Sequence, residues 1–454
     1  MHEIDQTTEQ MVRSVLAYAE NRLRMDPVPL DIGTLPAAEL NARLAGLIRD
    51  SGRHPDEVLG VYSSVIAPSI ISADSTRFLG FIPAAPTKAS LLFDMLVSCA
   101  SIQGISWLEA SGAIAAENTV LRLIADEAGL PAGAGGCFVS GGSAGNLSCL
   151  AVARETTKKK LGADGTGRRL RVIVGTDAHS SIVNTLKLLE MDALVVDTPD
   201  HRMTAESVRA AVQAESDLSD IAAVVCTSGT TNAGIVDDLA GVAAVCRERG
   251  LWLHVDGAYG LAALCAPSAR GKFAGIEHVD SFIVDPHKWL FSPFDSCALV
   301  YRDPALGRAA HRQHASYLEA LYADDAAYNP SDYGVHLTRR ARGLPFWFAL
   351  AVHGTDAFTT AVESVLAVTR AGADEIRSRP ELELLIEPEL SVLVFRRHGW
   401  ETADYDRWAA DLRADGTAFV MPTTVAGETV ARLAIVNPKT TIDDLVIVFH
   451  RMGG

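Results

Sequence analysis

The chain has 454 residues, of which 48% are hydrophobic and 21% are charged, so it can form one large globular domain and one or two smaller ones. Its 40 lysines and arginines stand against 56 acidic residues, which gives a formal net charge of −16. This balance argues against nucleic acid or an anionic membrane as a partner, but it leaves small-molecule substrates open.

The first predicted element is an amphipathic helix over residues 8–24, which Pro27 and Pro29 follow and end. Its apolar face consists of Met11, Val12, Val15, Leu16, Ala19 and Leu23. Such a face needs a cover, which is either the helix's own domain or a second subunit. No signal peptide is expected, because the acidic first residues lead straight into this helix.

Short β-branched runs then alternate with helical stretches between Asn146 and Tyr301. We predict strands at residues 171–174, 193–196, 221–225, 251–255, 281–284 and 297–301. Helices are predicted at 146–161, 207–214 and 239–249. This alternation predicts an α/β fold with a mostly parallel sheet that is covered on both faces. The short link before the last strand is typical of an antiparallel neighbour.

Residues 315–338 are polar and irregular, which predicts a mobile loop. A helix is predicted over 339–368, followed by strands at 391–396 and 429–436 and a closing segment at 442–452. The expected domains are an N-terminal helical segment (1–75), a large α/β domain (76–338) and a small C-terminal α+β domain (339–454).

The seven cysteines are scattered and odd in number, which favours a reducing cytoplasm over a disulfide framework or a metal site. Apolar runs are interrupted too early to cross a bilayer, and Asp94 breaks the best candidate. We therefore expect a cytoplasmic protein without a metal.

Polar residues follow four of the predicted strands, at the ends where parallel α/β sheets bind their ligands. The strand at 171–174 leads to His179, and the strand at 221–225 leads to Thr231. The strand at 251–255 leads to Asp256, and the strand at 281–284 leads to Lys288. The sequence therefore predicts one site at this edge of the sheet.

The residue types at this edge indicate a chemistry. Lys288 is a Schiff-base candidate, since a desolvated setting lowers the pKa of an amine, although most lysines are surface charges. Asp256 is suited to holding a protonated pyridine nitrogen, or else to capping a helix. His179 is suited to stacking on the ring and acting on a carboxylate or proton, or else is structural.

A glycine-rich run, 141–146, opens a helix, so its N–H groups at Ser143, Ala144 and Gly145 can bind a phosphate. Thr231 either adds a hydroxyl to that phosphate or only shapes a turn. The small residue Ala258, beside Asp256, would let a flat ring lie close.

Together these segments resemble the group II pyridoxal phosphate (PLP)-dependent amino-acid decarboxylases, the family of aromatic-L-amino-acid and glutamate decarboxylases, over about residues 78–438. The motifs that carry the resemblance are Asp285-Pro-His287-Lys288-Trp289, His254-Val-Asp256-Gly-Ala258-Tyr259, Asp177-Ala-His179, Ser140-Gly-Gly-Ser143-Ala144-Gly145-Asn146 and Gly229-Thr230-Thr231. The resemblance implies a fold-type I (aspartate-aminotransferase-like) architecture and adds Asp285 and His287 to the cofactor site. It also implies a homodimer with active sites at the interface and an N-terminal helix that packs across the partner.

The implied reaction converts an L-amino acid to its amine and CO₂, through an aldimine on Lys288 and a quinonoid intermediate that Asp256 stabilises. In relatives a loop tyrosine is implicated in returning the proton to Cα. The loop here offers Tyr317, Tyr322, Tyr328 and Tyr333. Tyr333 is our choice, because it lies nearest to the Arg339-Arg340 pair; a structural tyrosine is the alternative.

The implied substrate pocket contains Phe81, Ile82, Gln103 and Ile105. This mostly apolar lining has no arginine for a side-chain carboxylate, so an aromatic or other largely apolar substrate is favoured over glutamate. Three residues depart from the pattern of relatives, namely Ala84 and Gly145, which lack a hydroxyl, and Asp285, which replaces an asparagine of aromatic members.

Two alternatives stay open. One is another fold-type I reaction, such as an aminotransferase or a carbon–carbon lyase, in which Arg432 would hold an α-carboxylate instead of making a structural pair. The other is a non-catalytic binding protein on the same scaffold.

Overall fold

A computed structural model describes residues 2–31, 33–82, 84–313, 315–316, 318–319 and 327–453, so Tyr317 and Tyr322 lie outside the described residues. The strands are β1 (Gly135–Val139), β2 (Arg171–Gly175), β3 (Asp192–Val196), β4 (Ile221–Thr227), β5 (Trp252–Asp256), β6 (Ser281–Val284), β7 (Cys297–Tyr301), β8 (Leu382–Ile386), β9 (Val392–Arg397), β10 (Thr423–Val425) and β11 (Glu428–Ala434). The helices are α1 (Gln6–Arg24), α2 (Ala37–Leu44), α3 (Pro55–Val61), α4 (Lys88–Cys99), α5 (Trp107–Glu127), α6 (Gly142–Leu161), α7 (Ser180–Leu188), α8 (Ala205–Ala214), α9 (Leu239–Arg249), α10 (Pro267–Arg270), α11 (Pro304–His311), α12 (Leu344–His353), α13 (Thr355–Ser378), α14 (Thr402–Ala414) and α15 (Ile442–His450).

The large sheet has seven strands in the order β1-β7-β6-β5-β4-β2-β3. Strands β3, β2, β4, β5 and β6 are parallel, whereas β7 is antiparallel to both β6 and β1. Successive residues of β4 enter separate cores, with Val224 in one and Val225 in the other, because helices cover both faces. The predicted fold class and the antiparallel last strand are both confirmed.

Strand β1 was not predicted, because glycines open it and glycine is rare in strands. A side chain at Gly136 would place its Cβ 2.0 Å from the carbonyl oxygen of Leu299 on β7. Glycine is thus required here by the close approach of two backbones.

The small C-terminal sheet is antiparallel, in the order β10-β11-β9-β8. The prediction missed β8, β10 and α14, and its single helix over 339–368 is wrong. The chain instead breaks between α12 and α13 at Gly354, whose φ of 74° is a left-handed conformation that favours glycine. The limits assigned to the three domains stay a prediction.

Helix α1 begins after Asp5, whose side chain accepts a hydrogen bond from the N–H of Thr8. None of its residues is buried, and Met11, Val12, Val15 and Leu16 are exposed. The first half of its apolar face therefore lacks a cover within the described residues of one chain, whereas Ala19 and Leu23 are half-buried. No helix in the described ranges is long and apolar enough to cross a membrane.

A buried ion pair fixes the segment that precedes α12. Both carboxylate oxygens of Glu117, on α5, lie 2.8 Å from Nη2 of Arg339, and Glu117 also accepts a hydrogen bond from the N–H of Gly343 at 2.7 Å. Both charged side chains are only 2% exposed. Since breaking a buried pair leaves an uncompensated charge, this contact holds residues 339–343 firmly against α5.

Candidate active site

The carboxyl ends of β2, β4, β5 and β6 meet around one cavity of about 380 Å³. The predicted site residues that line it are Ile82, Ser143, Ala144, His179, Thr231, Asp256, Ala258, Asp285, His287 and Lys288. The parallel sheet thus brings together residues that are more than a hundred positions apart, at the edge where the sequence placed them.

Lys288 lines this cavity, beside Asp285. Its Nζ is 2.9 Å from Oδ2 of Asp285, a carboxylate that is 1% exposed. Burial acts to lower the pKa of the Lys288 amine, but the charges of Asp285 and Asp256 outweigh it and raise that pKa above its usual value. The expectation of a lowered pKa is therefore wrong, because it overlooked the neighbouring carboxylates.

Asp256 ends β5, and its carboxylate accepts hydrogen bonds from the N–H of Ala258 at 3.2 Å and from Nδ2 of Asn146 at 2.9 Å. The short helical turn that follows starts only at Gly260 and has Tyr259, not Asp256, at its cap position. The alternative interpretation of Asp256 as a helix cap is therefore not supported. Its side chain faces the cavity instead.

His179 caps α7 and also lines the cavity. Its Nδ1 accepts from the N–H of Ser181 at 3.2 Å and lies 2.9 Å from the hydroxyl of Ser181. Since Nδ1 accepts, the proton of the neutral ring is on Nε2. The structural and functional interpretations of His179 are therefore compatible.

A buried polar network that the prediction missed continues behind Asp256. His254 Nε2 lies 2.9 Å from Oδ1 of Asn146, and His254 Nδ1 lies 2.9 Å from the hydroxyl of Ser281. The Trp252 indole donates to the same hydroxyl at 2.9 Å. Two-residue periodicity already places Trp252, His254 and Asp256 on one face of β5, which was the available signal.

His254 makes stability depend on pH. Burial lowers the pKa of its imidazole from 6.5 to about 4, although the neighbouring Asp256 acts in the opposite direction. The unfolded chain therefore binds a proton between these values that the folded chain does not. The stability that the neutral ring provides is complete above pH 6.5 and is lost as the pH falls through 4.

We expect protonation of His254 in the unfolded chain to lower the free energy of unfolding by about 3 kcal/mol as the pH falls from 6.5 to about 4. Urea unfolding of the unaltered protein and of His254→Gln, from about pH 7 to about pH 4.5, measures the difference. The unaltered protein should lose more stability than the variant. Parallel pH dependences would exclude a buried, neutral His254.

The start of α6 has the properties of a phosphate site. In the described structure no side chain caps its first turn, so the N–H groups of Ser143 and Ala144 can bind an anion, whereas that of Gly145 already donates to the Gly141 carbonyl at 3.0 Å. A side chain at Gly142 would lie 3.1 Å from Cβ of Ala258 and 3.3 Å from Oδ2 of Asp285, so glycine keeps this end open. PLP fits the cavity, with anion donors at α6, a carboxylate at Asp256 and an amine at Lys288.

Five predicted residues do not line the cavity, namely Phe81, Gln103, Ile105, Gly145 and Tyr333. Gly145 is a packing residue, because its Cβ would lie 2.7 Å from the Ile283 side chain on β6. Phe81 is 56% exposed and contacts the ring of Phe419. Gln103 forms a β-bridge with Arg340, and the Ile105 carbonyl accepts from the N–H of Ser331.

Tyr333 lies in the hydrophobic core, where it is 7% exposed and stacks on Tyr328 with ring centres 4.4 Å apart. Its carbonyl oxygen accepts a hydrogen bond from the hydroxyl of Tyr301 at 3.1 Å. This placement matches the alternative of a structural tyrosine. Its assignment as proton donor stays a prediction that the position in its own chain does not favour.

Arg432, the residue proposed for a transaminase-like carboxylate contact, binds backbone carbonyls instead. Its guanidinium donates to the carbonyl of Thr231 at 2.6 and 3.0 Å and to that of Phe81 at 3.1 Å. It does not line the cavity. The arginine therefore links β11 to the turn that contains Thr231.

Comparisons with known proteins extend over nearly the whole chain. The family model for the pyridoxal-dependent decarboxylase conserved domain matches residues 43–398. The chain is 27% identical to the aromatic-L-amino-acid decarboxylase of Bacillus atrophaeus over 95% of this chain and 91% of that protein. It is 30% identical to the L-2,4-diaminobutyrate decarboxylase of Rhizobium meliloti (strain 1021), over 90% and 84% respectively.

The fold is similarly matched by a crystal structure of Oryza sativa TDC with PLP and tryptamine. The TM-score is 0.92 at 22% identity, over 100% of this chain and 98% of that chain. The similarity therefore covers both sheets as well as the cavity.

Proposed function

The chain belongs to the pyridoxal-dependent decarboxylase family, and from this premise we propose that it removes the α-carboxyl group of an aromatic or other largely apolar L-amino acid. It is a PLP-dependent amino-acid decarboxylase that releases an amine and CO₂. The observation that carries the proposal is the meeting of Lys288, Asp256 and His179 with the open start of α6 in one cavity.

Each residue has a proposed role toward the cofactor. Lys288 would attach it covalently, Asp256 would bind its ring nitrogen, and His179 would lie against the ring. The free N–H groups that begin α6 and the hydroxyl of Thr231 would hold its phosphate. When bound, PLP supplies a cationic ring that accepts the electrons of the bond to the departing carboxylate.

Two features of the cavity lining support an apolar substrate. Ile82 lines it, and the cavity wall contains no arginine among the described residues. A buried, unpaired substrate carboxylate would be costly there, which disfavours glutamate. The relative from Bacillus atrophaeus acts on aromatic amino acids by name, whereas the Rhizobium relative acts on L-2,4-diaminobutyrate, so a basic substrate is the second candidate.

A panel of L-amino acids assayed for CO₂ release tests the proposal. We expect kcat/KM for the best aromatic substrate to exceed those for glutamate and L-2,4-diaminobutyrate by at least about tenfold, which corresponds to about 1.4 kcal/mol of discrimination. Preference for diaminobutyrate would establish the second candidate. If turnover required a keto-acid acceptor, the reaction would be a transamination and not a decarboxylation.

A homodimer with active sites at the interface is also part of the proposal. The exposed apolar face of α1 supports it, since a helix of this kind needs a partner surface. Gln103 and Ile105, which do not reach the cavity of their own chain, would then be available to the site of the partner.

Sedimentation analysis of Leu16→Glu should show dissociation to monomers, because the change puts a charge into the apolar face of α1. The matched control is Ala17→Glu, at an exposed position on the polar face of the same helix. We expect the control to remain a dimer. Monomeric unaltered protein, or equal behaviour of the two variants, would speak against this interface.

We also propose a cytoplasmic location. All seven cysteines are free, and five of them are buried. Free thiols in this number are typical of a reducing compartment.

A further inference from the structure

A directed chain of hydrogen bonds runs behind the cavity and begins at Trp252. The indole can only donate, and its Nε1 lies 2.9 Å from the hydroxyl oxygen of Ser281. That hydroxyl has its own proton left to donate, and Nδ1 of His254 lies within reach at 2.9 Å. A neutral His254 with an unprotonated Nδ1 carries its proton on Nε2.

The direction of the next step is fixed by Asp256. Its carboxylate only accepts, so the atom of Asn146 that lies 2.9 Å away must be the amide nitrogen. The carbonyl oxygen of Asn146 therefore faces Nε2 of His254, at 2.9 Å, and accepts its proton. The Asp256 end therefore fixes the direction of the chain, and the Trp252 end is compatible with it, since the Ser281 hydroxyl can accept from the indole and donate to Nδ1.

Asn146 has a second amide proton, which it donates to the hydroxyl of Ser181 at 3.0 Å. Ser181 in turn lies 2.9 Å from Nδ1 of His179. Because Nδ1 of His179 accepts, its Nε2–H is left as a donor. The amide of Asn146 thus contacts Asp256 directly and His179 through Ser181, which are the two residues proposed to contact the cofactor ring.

We propose that Asn146 is the positioning residue of this active site, which orients the carboxylate of Asp256 through one amide proton and the ring of His179, through Ser181, by the other. The inference rests on the proposed function, since it takes the cofactor ring to contact both residues. Asn146 is 1% exposed, and His254 and Ser281 are fully buried, so these bonds replace those that water would make.

The direction of the chain can be measured without turnover. In unaltered protein labelled with ¹⁵N-histidine, the NMR signals of His254, assigned by comparison with His254→Gln, should show a neutral ring protonated on Nε2 at neutral pH. A neutral ring protonated on Nδ1 would reverse the direction and overturn the inference, because its Nε2 could not donate to Oδ1 of Asn146. This test applies with or without the cofactor.

Variants separate the two branches. Asn146→Ala should still attach PLP, but the ¹⁵N signal of the ring nitrogen of labelled PLP should move. Its kcat should fall roughly tenfold to a hundredfold, as expected for loss of a hydrogen bond to a charged group, with KM within about threefold. Ser181→Ala should leave the ring-nitrogen signal in place and shift that of His179 Nδ1.

The matched control is Ser148→Ala, which removes a buried hydroxyl from the same helix, outside the cavity. It should keep both signals and kcat. An unmoved ring-nitrogen signal with unchanged kcat in Asn146→Ala would overturn the inference while leaving the decarboxylase function intact. If Asn146→Ala does not fold, Ser181→Ala and the His254 measurement decide. Unaltered protein that fails to bind PLP would instead overturn the proposed function.

Discussion

Replacing Lys288 by alanine is expected to abolish covalent attachment of PLP and to lower turnover by at least about a thousandfold. The cavity contains no other lysine among the described residues, so no second amine can take its place. The variant should remain folded, because the Lys288 side chain is one-quarter exposed and its main contact is with Asp285.

Two measurements test this prediction. The visible absorbance of the lysine-bound cofactor should disappear, and the rate of CO₂ release should fall. Lys272→Ala is the control, since that amine lies 3.6 Å from Glu389 and outside the cavity. The control should show the same visible absorbance and the same rate of CO₂ release as the unaltered enzyme. A Lys288→Ala protein that retained normal turnover would refute the assignment of the lysine.

The second large effect is expected at Asp256. Asp256→Asn keeps the shape of the side chain but removes the charge, so the ring nitrogen of the cofactor would lose the partner that keeps it protonated. We expect kcat to fall roughly a hundredfold to a thousandfold, similar to the loss of a group that stabilises charge in other active sites. Binding of the cofactor should change much less, because Lys288 and the start of α6 are unaltered.

Steady-state kinetics and titration with PLP measure these two quantities separately. Asp192→Asn removes an exposed carboxylate that pairs with Arg169 on the surface, and it should leave both unchanged. Normal kcat in Asp256→Asn would remove the electron-sink role of this carboxylate.

Much of the large sheet was predictable because parallel, doubly covered strands are continuous apolar runs. Residues 281–284 and 297–301 were predicted with the same limits that β6 and β7 have. Strand β1 was not, because its Gly136 is required by the close approach of the Leu299 carbonyl, which is more than 150 residues away. Gly354 was similarly hidden inside a helix-like pattern, although it separates α12 from α13.

In the site, the residues that follow strand ends were predictable because sheet geometry brings those ends together. The partners of Asn146 were not, because His254 is 108 positions away in the chain and no local pattern joins the two. Tyr333 is a different case, because its role as proton donor stays a prediction. Its nearness to Arg339 in sequence indicated the active site, whereas in three dimensions the side chain enters the core beside Tyr328.

The buried pair between Glu117 and Arg339 has a consequence for protein engineering. Since it secures the chain just before α12, we expect substitutions between α11 and Arg339 to leave the register of the helices that follow unchanged. A segment grafted there from a relative would therefore have to retain the core packing that Tyr328 and Tyr333 provide.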